Sequence, residues 1–182
     1  MSDEDLVVSY LDSQDDKYFS IIYQRYSGKV YGKCLSFFKN DAEALDAVQD
    51  VFIKLLVNIG SFKEKSKFST WVYAVTYNYC IDVIRKNKNL PVTDFDVKNE
   101  NLDFVDEVDD HWITQIDSNT IEKVMDMMNE GDKAILLMKY MDELSIKDIS
   151  GIINKTESAV KMQLKRAKSR FKLIFSKLEN AF

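Results

Sequence analysis

The chain has 182 residues, of which 46% are hydrophobic and 30% charged, with only five Gly and one Pro. This describes one or two small helical domains able to bury a core, and it excludes a turn-rich β fold. No apolar run approaches a membrane span, the start MSDEDLVVSY lacks the shape of a signal peptide, and Cys34 and Cys80 stand far apart without CxxC spacing, so neither a disulfide framework nor a zinc site is expected and a cytoplasmic protein is.

In chain order, a short helix is predicted after Asp3 and a long one over Asp16–Phe38, with Phe19, Ile22, Tyr26, Val30 and Leu35 on one face. Asn40 or Asp41 caps the next helix, which runs to about Asn58, ends at Gly60 and buries Leu45, Val48, Phe52, Leu55, Leu56 and Ile59. A lysine-rich loop, Ser61–Lys67, leads into an aromatic helix that ends near Lys88. The segment from Pro91 to about Asp117 reads as an acidic linker whose hydrophobics, Trp112 among them, imply docking. Ser118 is predicted to cap a helix to about Met128, and Asp132 a second to Tyr140 or Met141. Ser145 and Asp148 form a start signal for a short helix to Ile153, Asn154 suits a left-handed turn, and Thr156 caps a last helix to about Glu179. That last helix buries Val160, Leu164, Ala167, Phe171, Ile174 and Leu178.

The net charge of −5 is unevenly spread. Residues 1–88 carry 12 basic and 12 acidic side chains, residues 89–117 one and nine, and residues 118–182 twelve and nine. Most of the negative charge therefore lies in one central segment that splits the chain. The fold class is all-α, with domains at 1–90 and 118–182 joined by the acidic linker 91–117.

Two segments carry the chemistry. In the first, Phe68–Tyr79 holds five aromatics among twelve residues, flanked by Lys63, Lys65, Lys67, Arg85, Lys86 and Lys88. Charge that tracks phosphates beside rings that stack on bases is the equipment for holding unstacked nucleic acid. The competing reading is a buried helix with solvated ends, and it takes Val72, Val75, Tyr73, Tyr77 and Tyr79 for the core. One narrow strip, Trp71, Ala74, Asn78 and Arg85, is left for a partner. In the second segment, the short helix, turn and capped helix form a helix-turn-helix pattern. Residues 155–177 hold eight basic side chains against Glu157, and Ser158, Lys161, Met162, Lys165 and Lys168 lie opposite the apolar stripe, placed to meet base edges and phosphates. With 21 Lys and four Arg, the chain favours phosphate contact over bidentate guanine reading, and Arg166 and Arg170 are the two arginines of the last helix.

Together the two segments resemble bacterial RNA polymerase sigma factors of the extracytoplasmic-function (ECF) class. DAEALDAVQDVFIKLL resembles the family's region 2.2, KFSTWVYAVTYNYCIDVIRK its regions 2.3 and 2.4, and LLMKYMDELSIKDISGIINKTESAVKMQLKRAKSRF its region 4. The resemblance implies a sigma factor that binds core RNA polymerase, through the β′ coiled coil and the β flap, and directs promoter-specific initiation. Docking would fall to Asp46, Gln49, Asp50, Phe52 and Lys54. Capture of the melted minus-ten strand would use Lys63, Ser66, Lys67, Phe68, Ser69, Trp71 and Asn78, with Arg85, Lys86 and Lys88 on the upstream duplex. Thr156, Ser158, Lys161, Met162, Lys165 and Arg166 would read the minus-thirty-five element as duplex. An anti-sigma partner is implied too, and no metal, cofactor or catalytic residue. The chain departs from the family where MMNEGDK replaces a proline pair, Asn154 replaces the turn glycine, and Met162–Gln163 replaces a small-polar and arginine pair, which leaves the promoter sequence open.

The rival is a helix-turn-helix regulator acting without polymerase core, which would bind paired half-sites as a dimer and leaves the aromatic segment without a task. A pure interaction module leaves both basic surfaces without one. An enzyme finds no support: the only histidine, His111, lies in the linker, and the chain has no phosphate loop or nucleophile elbow.

Overall fold

The computed structural model describes residues 1–63, 67–88 and 116–180, and no strand occurs among them. The chain divides into two units, Met1–Leu90 and Pro91–Phe182. Most of the acidic linker read over 91–117 lies outside the described residues. No helix among the described residues is long and apolar enough to cross a membrane.

The first unit contains α1 (Asp3–Ser13), α2 (Asp16–Phe38), α3 (Asp41–Asn58) and α4 (Phe68–Lys88). Each of the first three begins at a short polar acceptor that satisfies an otherwise orphaned amide: Ser2 in a capping box with Asp5, then Asp15, then Asn40. α2 packs on α1, α3 and α4, and its buried face is Ile22, Tyr26, Val30, Cys34 and Phe37. Phe19 and Leu35 are half-buried at the edge of that face.

α3 departs from the predicted stripe. Val48, Phe52, Leu55 and Ile59 are buried as read, but Leu45 and Leu56 are exposed, and Ala44, Ala47 and Val51 take the inner positions. The reason is packing: α3 is covered by α2 and α4, and the arc they share selects the small residues that let the helices approach. Gly60 does not end α3 in a left-handed turn; a 3₁₀ turn over Ile59–Ser61 carries the chain on, and no glycine has positive φ. Left-handed geometry instead falls to Gln14, Lys39, Glu143 and Asn154.

Cys34 and Cys80, remote in sequence, meet between α2 and α4 with their Sγ atoms 3.9 Å apart, both buried as free thiols. The hydrogen bond to Cys34, with burial, pushes the Cys80 thiol up.

The second unit contains α5 (Ser118–Met127), α6 (Glu130–Leu136), a π turn over Leu137–Met141, α7 (Ile146–Ile153) and α8 (Glu157–Glu179). α5, α6 and α7 all pack on α8. Two caps differ from expectation. Asp117, not Ser118, caps α5, and Asn129, not Asp132, caps α6. Asp132 sits in the first turn of α6 and is only 1% exposed; its carboxylate pairs with Arg170 of α8 and accepts from Asn129 Nδ2 at 2.6 Å. The α7 and α8 boundaries follow the sequence signals: Ser145 and Thr156 cap, and Asn154 is left-handed at φ 53°.

Candidate nucleic-acid interface

In the second unit the turn between α7 and α8 is fixed locally. Ser150 Oγ donates to the Lys155 carbonyl at 2.5 Å, the Lys155 amide donates back to the Ser150 carbonyl at 3.1 Å, and Thr156 Oγ1 accepts from the Ala159 amide at 3.2 Å. Ile149 and Ile152 of α7 and Val160 and Leu164 of α8 are buried, which leaves the opposite side of α8 to solvent. Thr156, Ser158, Lys161, Met162 and Lys165 are all exposed, and Arg166 is half-buried. Ser158, Lys161, Met162 and Lys165 follow helical spacing, so they make one face. Gln163 turns inward, 3.5 Å from Lys155 Nζ, so of the Met162–Gln163 pair only Met162 faces out. Two cations of α8 are committed elsewhere: Lys168 lies over the Tyr140 ring, and Arg170 pairs with Asp132. Arg166, the other arginine of α8, is half-buried and lies next to exposed Lys165 in the chain.

In the first unit the start of α4 is wrapped in rings. Phe68 is 0% exposed, edge-on to Tyr26 at 5.7 Å and to Phe62 at 5.2 Å, and Trp71 packs at 5.5 Å from Phe68 and 5.7 Å from Phe62. Phe68 is thus a core residue and not a base contact; the burial that anchors the helix start takes it out of reach. Lys63, Lys67, Ser69, Asn78 and Lys86 are exposed, and Trp71 and Arg85 are half-buried. Ser66 lies outside the described residues, as does the side chain of Lys88. Of the residues read as core, Val72 and Tyr77 are buried, while Val75, Tyr73 and Tyr79 are half-buried. Burial and a hydrogen bond to Asp50 at 2.6 Å raise the Tyr79 phenol well above its usual range.

The outer face of α3 carries Asp46, Gln49, Asp50 and Lys54, all exposed. Phe52 does not belong with them: it is 4% exposed, packed against Tyr23 at 4.5 Å and Phe19 at 6.3 Å. The apolar residues on that face are Leu45, Ile53, Leu56 and Val57, the last 76% exposed. Sequence reading missed Ile53 and Val57 as surface residues. The signal was present, since α3 has more apolar residues than one stripe can bury.

Two family models match the chain: Sigma-70 region 2 over residues 22–90 and Sigma-70, region 4 over residues 118–171. The ECF RNA polymerase sigma factor SigW of Bacillus subtilis is 33% identical over 162 residues, covering 85% of this chain and 87% of that protein. The chain belongs to the ECF sigma factors. SigM of Bacillus subtilis is 28% identical over 156 residues, covering 86% and 94% of the two chains. The same fold occurs in CnrH, solved with the cytosolic domain of CnrY (TM-score 0.66, 13% identity, 96% and 97% coverage). It also occurs in the sigma factor RpoE of Bartonella quintana, solved with the anti-sigma factor NepR (TM-score 0.62, 18% identity, 88% and 98% coverage). In this sigma factor, α4 falls within region 2, and α7 with α8 as far as Phe171 falls within region 4.

Proposed function

We propose that this chain binds core RNA polymerase and directs promoter-specific initiation in the cytoplasm, reading the minus-thirty-five element as duplex and the minus-ten element as a melted strand. The observation that carries the reading is the exposed face Ser158, Lys161, Met162 and Lys165 on α8, in a chain whose other unit exposes Lys67, Ser69, Asn78 and Lys86 along the helix that carries half-buried Trp71. The α8 face suits the major groove, where lysines gain affinity by releasing counterions and Arg166 reaches a guanine edge. Phe68 drops out as a stacking ring, and half-buried Trp71, on the strip of α4 shared with exposed Asn78, takes the stacking role. Flipping a base costs a few kcal/mol, and stacking on an aromatic returns about 1–3 kcal/mol, which couples melting to capture without ATP. The chemistry of RNA synthesis stays with the core.

Docking on the β′ coiled coil falls to the outer face of α3, where Asp46, Gln49, Asp50 and Lys54 are interleaved with Leu45, Ile53, Leu56 and Val57. Exposed apolar residues rimmed by charge are the ordinary composition of a protein interface. Region 4 would meet the β flap. The complex of RpoE with the anti-sigma factor NepR supports an anti-sigma type of partner for this chain as well. A free-standing regulator has no use for the exposed α3 face.

The test is transcription with purified core enzyme and a promoter library; a chain that neither associates with core nor directs initiation defeats the reading. Two sets of variants separate the sites. Lys165→Ala with Arg166→Ala should weaken upstream duplex binding and lower its salt slope by about 2, with capture of a pre-melted strand intact. Trp71→Ala should reverse that pattern, with about tenfold weaker strand capture. Equal losses in both assays would mean a single shared site.

A further inference from the structure

We infer that Glu4, in the first turn of α1, is a positioning residue for strand capture, holding the start of α4 in its binding geometry. The inference rests on the capture role proposed above for the α4 side of the first unit. Glu4 lies outside the segment matched by the region 2 family model, which begins at residue 22.

Lys67 occupies the cap position of α4: its carbonyl accepts from the Trp71 amide at 3.2 Å and the Thr70 amide at 3.0 Å. A lysine side chain has three donors and no acceptor, so it cannot satisfy the free amides at a helix start. Those amides need an oxygen from elsewhere. Glu4 supplies it, since its Oε1 accepts from the Phe68 amide at 3.1 Å across 64 residues of sequence. A carboxylate there also suits the positive end of the helix dipole. The first turn of α1 is pinned in its own right: Arg25 Nη1 lies 2.6 Å from Asp3 Oδ1, Arg25 Nη2 donates to the Met1 carbonyl at 3.0 Å, and the Tyr26 hydroxyl donates to the Asp3 carboxylate. Tyr26 closes the circuit by packing edge-on against Phe68.

The arrangement resolves a conflict. The capture surface needs a cation at Lys67, and the helix start needs an acceptor at the same position. Placing the acceptor on another helix meets both demands. It also explains why a carboxylate sits close to a surface meant for phosphates, where charge alone would be unfavourable. If α4 frays at its first turn, Ser69 and Trp71 lose their fixed positions, and apparent affinity falls with the competent fraction.

The experiment uses the holoenzyme and two probes taken from the best promoter of the library selection: a minus-ten single strand and a minus-thirty-five duplex. Hydrogen exchange at the Phe68 amide reports the cap directly. Glu4→Ala should weaken strand capture about 3- to 10-fold, the size of a lost helix cap read as affinity, and speed Phe68 exchange. Glu4→Gln keeps an acceptor oxygen and should hold both within about twofold of wild type. Duplex binding should stay unchanged in both variants, and wild-type exchange protection across α2 and α3 certifies that the first unit folds. The inference fails if Glu4→Ala captures strand like wild type while Phe68 exchange accelerates, or if the Ala and Gln variants lose equally, which would make charge and not geometry the cause. A wild-type holoenzyme that ignores the single strand overturns the capture role itself, a failure distinct from any difference between variants.

Discussion

Replacing Arg170 by Met would strand a buried carboxylate. Asp132 is 1% exposed and the Arg170 side chain 14%, so both charges of the pair have left water. Within the described residues Asp132 Oδ1 has no hydrogen-bond partner, and Oδ2 takes both Arg170 and Asn129. Removing one member of such a pair costs about 3–5 kcal/mol, because the survivor stays buried and uncompensated. The helical part of the second unit spans about 65 residues, for which a total stability of roughly 3–10 kcal/mol is ordinary. The variant should therefore lose most of the fold of α5–α8, or melt at least about 12 °C lower if it survives, at about 4 °C or more per kcal/mol. Hydrogen exchange read peptide by peptide is the assay: α5–α8 should lose protection while α1–α4 keep theirs. Asp132→Leu with Arg170→Met should restore most of the loss, since replacing both partners with apolar groups is close to neutral and Asn129 is exposed enough to turn to water. A loss below about 1 kcal/mol for Arg170→Met, or a double variant no better than the single, would refute the reasoning.

Two further predictions concern buried groups in the first unit. Burial pushes the Lys33 ammonium down to about 8, against roughly 10.4 for a free lysine. Between those values the unfolded chain holds the extra proton, so the contribution of Lys33 to stability rises with pH through that window and is lost as pH falls through the folded value. The difference in urea midpoint between wild type and Lys33→Met should climb from pH 7.5 to 10; a flat difference would show that Lys33 is not desolvated. Cys34 and Cys80 are both fully buried, so iodoacetamide should label neither in the native chain and both in denaturant. Cys80→Ser, which buries a hydroxyl in place of a thiol, should cost about 1–3 kcal/mol in a denaturant titration, and rapid native labelling would contradict the packing of α2 on α4.

The helix-turn-helix was legible almost to the residue. Ser145, Asn154 and Thr156 act on atoms a few positions away, and the exposed spacing of Ser158, Lys161, Met162 and Lys165 follows from the buried stripe of the same helix. The aromatic helix was legible in outline, because too many rings crowd one helix for all of them to face a ligand. Which rings went inside was not legible. Phe68 and Phe52 were both read as contacts, and both are held in the core by rings from other helices. On α3, hydrophobicity alone placed Leu45 and Leu56 inside and overlooked Ala44 and Ala47, since periodicity does not show how closely two helices approach.

By itself the sequence determined what depends on neighbours within one helical turn: the number of helices, most of their starts, the left-handed stop at Asn154, and the acidic segment that separates two helical regions. Tertiary structure decided what depends on residues far apart in the chain. Arg170 meets Asp132 across 38 residues, Cys80 meets Cys34 across 46, and the start of α4 meets Glu4 across 64. A cap or a turn satisfies its hydrogen bonds wherever the rest of the chain goes, so its signal is written locally. A buried ion pair or a borrowed cap exists only after helices have packed, so no local pattern announces it, and in this protein such contacts decide which charged side chains are held inside and which stay at the surface.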